Sequence, residues 1–141
     1  MPIQQKVFAY ITRVTDGVRE LLIFDSLDEP GLEVPKGAVE DGESLEEAVH
    51  RELLEEAGIA DARIIRKLGA TDWGNERQHF FLVEPPPGLP RSFDHTVTGN
   101  GVDAGLHYRF RWLSIAPELR RRLVQGSGRF VDELLAAFGS G

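Results

Sequence analysis

The run from Ser44 to Gly58 constrains this chain more than any other segment. Ser44-Leu45-Glu46-Glu47 has the form of a capping box, in which a serine hydroxyl and a glutamate three residues later satisfy each other's backbone donors. Gly58 supplies the left-handed stop that ends a helix. The segment between them, residues 44 to 57, therefore reads as a helix with signals at both ends. An α-helix advances about 100° per residue, so Val49, Leu53 and Ala57 lie about 40°, 80° and 120° from Leu45 and form an apolar stripe. Glu52 and Glu56 fall about 20° to either side of Leu45, and Glu55 about 80° from it. Three acids at i, i+3 and i+4 thus stand at the edge of a face that packs inward, with their side-chain heads converging.

That arrangement is unfavourable by itself. Like charges one turn apart repel, and partial burial adds a desolvation cost. A run of charge is usually a solvated face, and Glu46 and Glu47 fit that reading. The position of Glu52 and Glu56 on the core edge does not. Arg51 is the only basic residue in the second half of the helix. A divalent cation is the economical counter-charge, because hard cations prefer carboxylate oxygens and keep sites open for phosphate.

Composition narrows the function classes. The chain has 141 residues with a formal net charge of −7, which offers no global attraction for nucleic acid or an anionic membrane. A polyanionic substrate would need a bound cation or a local basic pocket. Cysteine is absent, so disulfides, thiolate metal sites and cysteine nucleophiles are excluded. No apolar run approaches the ~20 residues of a membrane span. The segment Met1 to Lys6 lacks the layout of a signal peptide, and the chain reads as cytoplasmic.

The remaining pattern is mostly strand. Residues 6 to 14 and 20 to 24 read as two strands around the turn signal Asp16-Gly17. Pro30-Gly31 and Pro35-Lys36-Gly37 punctuate a loop. Further strands are expected over 62 to 68, 78 to 84 and 107 to 113, and helix over 115 to 138 with a break near Gly126-Ser127-Gly128. Residues 88 to 105 read as one long loop, a place where function often resides. One domain over residues 1–141 is expected, an α+β sandwich around a mixed sheet.

From Gly37 to Ile59 the sequence resembles the Nudix box, G-x5-E-x7-R-E-U-x-E-E-x-G-U with U a bulky apolar residue. All seven fixed positions match: Gly37, Glu43, Arg51, Glu52, Glu55, Glu56 and Gly58, with Leu53 and Ile59 in the apolar places. A chance match anywhere in the chain is on the order of one in ten million. The resemblance implies a Nudix-like α/β/α sandwich and a MutT-like, Mg²⁺- (or Mn²⁺-) dependent pyrophosphohydrolase. Such an enzyme cleaves a phosphoanhydride in a nucleoside diphosphate linked to another moiety. By the same resemblance Glu52, Glu55 and Glu56 would carry catalysis and hold metal, joined by the Gly37 carbonyl, with Glu55 a ligand or the base that activates water. Glu43 and Arg51 would form an ion pair fixing the loop, with Glu47 a second acid one turn before Arg51. Gly37 and Gly58 would serve backbone geometry.

Substrate signals are thinner. Pro35-Lys36-Gly37 resembles the start of the box in Nudix enzymes that act on diadenosine polyphosphates and diphosphoinositol phosphates, and Lys36 can meet a phosphate as a point charge. Two features depart from that branch: Ala38 stands where histidine is common, and Leu106 where a glutamate is. Asp103 or Glu33 would be the substitute acid. Arg77 is a second phosphate candidate, and Trp73, Tyr108 and Phe80 are candidates for stacking on a base, with core packing the plainer role for any one of them. The four histidines show no ligand spacing and read as structural. The main reading is a small-molecule nucleotide hydrolase, with a homodimer left open. The alternatives are a nucleotide-sensing Nudix-like domain without catalysis and an RNA 5′ pyrophosphohydrolase, the latter disfavoured by the acidic balance.

Overall fold

A computed structural model of the chain describes residues 3–138. Its frame is a mixed eight-stranded sheet. Strand β1 (Gln4–Thr15) turns through Asp16-Gly17 into β2 (Val18–Asp25). Both turn residues take positive φ, 52° and 78°, the conformation a two-residue hairpin turn needs. Two short strands follow, β3 (Leu32–Glu33) and β4 (Lys36–Ala38), and lead into helix α1 (Leu45–Ala57). Then come β5 (Arg63–Trp73), β6 (Glu76–Glu84), β7 (Ser92–Thr96) and β8 (His107–Ser114). Helices α2 (Leu119–Arg122) and α3 (Val131–Ala137) complete the fold.

The long strands run in the order β5-β6-β1-β2-β8-β7, with β1 and β6 parallel and the other pairs antiparallel. Alternation along β1 builds two cores. Val7, Ala9 and Ile11 pack towards Val49, Leu53 and Ala57 of α1. Phe8 and Tyr10 face the other way, towards Leu119, Val131 and Leu134 of α2 and α3. The result is helix on both faces of a mixed sheet, the sandwich expected from the sequence.

What positions the site is the parting of β1 from β2. These strands pair only from Thr12–Leu21 to Thr15–Val18. Towards its start, β1 pairs instead with β4, from Lys6–Ala38 to Phe8–Lys36. The segment read as a plain loop between Pro30 and Gly37 is thus threaded into the sheet as β3 and β4, and β4 delivers α1 to the opening. The long loop expected over 88 to 105 also contains a strand, β7, paired along its length with β8. Five residues with Phe93 their one large apolar side chain are too short to show a period, yet Phe93 stacks on Phe110 at 5.1 Å between centroids. The helix expected over 115 to 138 is two short helices around a wide turn.

That turn is tied to the loop before the box. The buried Tyr10 hydroxyl donates to the Ser127 carbonyl at 2.6 Å and accepts from the Phe130 amide at 3.2 Å. The Ser127 hydroxyl accepts from the Val34 amide at 3.1 Å. Removing the phenol oxygen leaves the buried Ser127 carbonyl and the half-buried Phe130 amide without these partners. Tyr10→Phe is therefore expected to cost about 1–3 kcal/mol of stability, read as a lower midpoint in urea unfolding with an unchanged slope.

Candidate active site

Helix α1 has the ends expected of it. Ser44 and Glu47 form the reciprocal capping box, and Gly58 ends the helix at φ 67° with its amide on the Leu53 and Leu54 carbonyls. These caps fix the register that sends Glu52, Glu55 and Glu56 to one side. Glu56 is the deepest, 4% exposed among apolar core residues. Its Oε1 accepts from the Lys36 amide at 3.3 Å, so β4 and α1 are joined at the acid itself. Burial, and then the neighbouring Glu52 carboxylate, push the Glu56 carboxyl well above its ordinary range. Burial likewise pushes Glu52 up to about 7, against the opposing pull of Arg51.

Arg51 is the hub of the loop. Its guanidinium donates twice to Glu43, at 2.7 and 3.0 Å, and once to the Ala38 carbonyl at 2.7 Å. Its remaining edge reaches Glu52 at 2.9 Å and Glu55 at 3.1 Å. The hydrogen bonds from Arg51 hold the Glu43 carboxyl below the usual range. The Glu43–Arg51 pair expected from the sequence is thus present. Glu47 differs from expectation: its carboxylate caps Ser44 and does not engage Arg51. Gly37 also differs in its reason. Its φ is unexceptional, but a Cβ there would overlap the Glu52 carboxyl, so close approach requires glycine.

The acids line a cavity of about 450 Å³ with Gly37, Lys36 and Lys6. Its far wall is the segment Val97–Ala104, which brings Asp103 to the same cleft. The Thr98 amide donates to the Glu55 carbonyl at 2.9 Å, and a ring nitrogen of His95 sits 3.0 Å from that same oxygen. Gly99, at φ 92°, backs onto the Glu55 carboxylate so closely that a Cβ would strike it. A hollow of about 680 Å³ lies at the other end of β1, lined by Thr12, Arg13, Arg63, Leu89 and Phe138, and none of the three acids reaches it.

The donor set suits a hard cation: three carboxylates at one cleft, the deepest of them without a contacting cationic side chain. Among the described residues, no three acidic or histidine side chains enclose a cation as they stand, because Glu52 and Glu55 are turned onto Arg51. Releasing them leaves Arg51 its two bonds to Glu43 and one to Ala38.

The other candidates divide. Lys36 lines the cleft, and its ammonium rests 3.3 Å from Glu33 and 3.0 Å from the Gln125 carbonyl. Arg77 lies outside the cleft, on the exposed start of β6, paired with Asp72 at 2.9 Å. Phe80 and Tyr108 are buried, Tyr108 stacked on Phe24. Trp73 is exposed. Lys6 was not singled out from the sequence, although a chain with three lysines against thirteen arginines makes each lysine informative.

The raised carboxyls set a pH dependence in the metal-free protein. Unfolded, Glu52 and Glu56 ionise in the ordinary range; folded, they keep their protons to higher pH. Stability is therefore expected to fall as pH rises from about 4.5 through about 7, where the unfolded chain binds fewer protons than the folded one. Thermal melts in chelator should show this decline, and Glu56→Gln should flatten it. Separately, Gly99→Ala is expected to lower turnover about tenfold or more by displacing Glu55, read as kcat against the wild type.

Comparison with known proteins agrees with the fold and the box. The Nudix domain family matches residues 4–134. The curated RNA pyrophosphohydrolase of Wolbachia sp. subsp. Brugia malayi (strain TRS) is 51% identical over 127 aligned positions, covering 72% of this chain and 67% of that protein. In fold, the chain is similar to Ap4A hydrolase of C. elegans, with TM-score 0.68 and 17% identity over 99% of this chain and 100% of that one. A mutT/nudix family protein from Listeria innocua gives TM-score 0.64 and 19% identity over 98% and 95%. The complete box, the acid cleft it builds and the match over nearly the whole chain establish that this protein belongs to the Nudix family and is a Nudix pyrophosphohydrolase.

Proposed function

We propose that the chain, acting as one domain over residues 1–141, is a Mg²⁺-dependent hydrolase of nucleoside diphosphates linked to a second moiety, with diadenosine polyphosphates as the leading substrate class. The observation that carries this reading is Glu56: a carboxylate 4% exposed, beside Glu52, with only a backbone amide in contact. Burying a carboxylate that way is costly unless something positive joins it. Glu52, Glu55, Glu56 and the Gly37 carbonyl are the groups that would hold a divalent cation, which when bound neutralises phosphate charge and makes a coordinated water more acidic.

The chain's own residues do the rest. Lys36 brings an ammonium to the cleft and binds a phosphate oxygen. Glu55 is the most open of the three acids, so it accepts the proton of the attacking water. The water oxygen forms the new bond to phosphorus, the bridging anhydride bond breaks, and the leaving phosphate departs with the electron pair. Arg51 and Glu43 hold β4 and α1 together while this occurs.

A second reading, removal of pyrophosphate from RNA 5′ ends, is supported by the relative named for that activity. Chromatographic identification of the nucleotide and pyrophosphate products from diadenosine tetraphosphate, ADP-ribose, dNTPs and 5′-triphosphorylated RNA, with and without Mg²⁺, separates the two. Glu56→Gln is expected to keep the fold and lose at least about 100-fold in Mg²⁺-dependent rate. Mg²⁺ at neutral pH should also raise the melting temperature of the wild type more than that of Glu56→Gln. Full activity in Glu56→Gln would refute the assignment.

A further inference from the structure

Lys6 and Lys36 line a second cavity as well as the acid cleft. It measures about 410 Å³, and its walls include Trp73, Gln78, Gln125 and Arg129. Trp73 leaves 61% of its surface in water, the largest aromatic so exposed among the described residues. The Arg129 guanidinium lies over its ring, 3.9 Å from the centroid. Arg129 has no carboxylate partner among the described residues; it donates instead to Oε1 of Gln78. Gln78 is itself 3% exposed, with its amide nitrogen held by Glu76 at 2.9 Å. A buried amide therefore aims a planar cation at an exposed indole. The neighbouring residue connects this place to the chemistry: the Lys36 backbone amide touches Glu56 while its side chain borders the second cavity.

We propose that the second cavity is the subsite for the base of the nucleotide substrate, stacked on the Trp73–Arg129 pair, with the phosphates passing Lys36 and Lys6 into the acid cleft. This rests on the cleft being the phosphoanhydride-cleaving centre. Every base has a π-face, and aromatic rings and guanidinium planes are the side chains on which bases stack. The flanking ammonium groups rest on single carboxylates, Lys6 on Glu76 at 2.9 Å and Lys36 on Glu33 at 3.3 Å, and each keeps donors with which to meet the phosphates attached to that base.

The chain has two tryptophans, so Trp112→Phe leaves Trp73 as the sole indole reporter. Trp112 packs under Arg13, at the other end of β1. In Trp112→Phe protein with Mg²⁺, AMP is expected to quench the emission saturably and ribose 5-phosphate is not. Arg129→Ala should weaken the AMP response about tenfold. With diadenosine tetraphosphate as substrate, Trp73→Ala should raise KM about ten- to a hundredfold with kcat within about twofold, and Trp73→Phe should recover most of the loss. A 5′-phosphorylated oligoribonucleotide that quenches as AMP does would support the subsite and identify RNA as its source of base. Equal quenching by ribose 5-phosphate, no quenching by AMP, or an unchanged KM in Trp73→Ala would each overturn it. Loss of the Glu56→Gln effect with AMP quenching intact would instead count against the cleft reading alone.

Discussion

One guanidinium holds the box together. Arg51 joins the loop through Glu43 and Ala38 and the helix through Glu52 and Glu55, so four carboxylate or carbonyl groups share one cation. Arginine suits this role because its planar fork serves several acceptors at fixed angles, which a lysine ammonium does not. The Glu43 contact is bidentate and shields its carboxyl from protonation. The Glu52 and Glu55 contacts all come from one nitrogen, shared among three carboxylate oxygens. The clamp therefore has a firm side and a yielding side, and the yielding side faces the cleft.

The sheet explains why a cleft exists there. Strand β1 cannot pair with β2 along its whole length, because β4 takes its edge from Lys6 to Phe8. The two halves of the sheet separate at that point, and the Lys36 and Gly37 backbone fills the gap directly against α1. Backbone amides in such a gap need acceptors, and Glu56 supplies one for Lys36. The same carboxylate is thereby pulled into the core, where its charge is costly. Structure and chemistry are coupled through that one buried group.

Much of this was legible in the residues. The capping box, the Gly58 stop, the β1–β2 turn and the acid spacing all emerge from local rules, because each depends on neighbours within one turn or one hairpin. The match to the Nudix box added roles to residues whose convergence was already visible on a helical projection. Less legible were β3, β4 and β7, which have two, three and five residues. Strands that short carry no period, and their partners are distant in sequence. Arg77 illustrates the limit from the other side: a basic residue in a polar turn looked able to reach phosphate, and Asp72, five residues earlier, holds it outside the cleft.

The residue order alone therefore decided that Glu52, Glu55 and Glu56 share a helix face, since 3.6 residues per turn leaves no other outcome. It also decided where that helix starts and stops. Only the tertiary structure decided which of the three is buried, that Arg51 turns towards two of them, and that Thr98 and Gly99 close over Glu55. It alone placed Trp73 beside Arg129 and set Lys36 between two cavities. Burial and long-range contact are properties of how strands pack, and packing depends on every face at once, which no local spacing encodes.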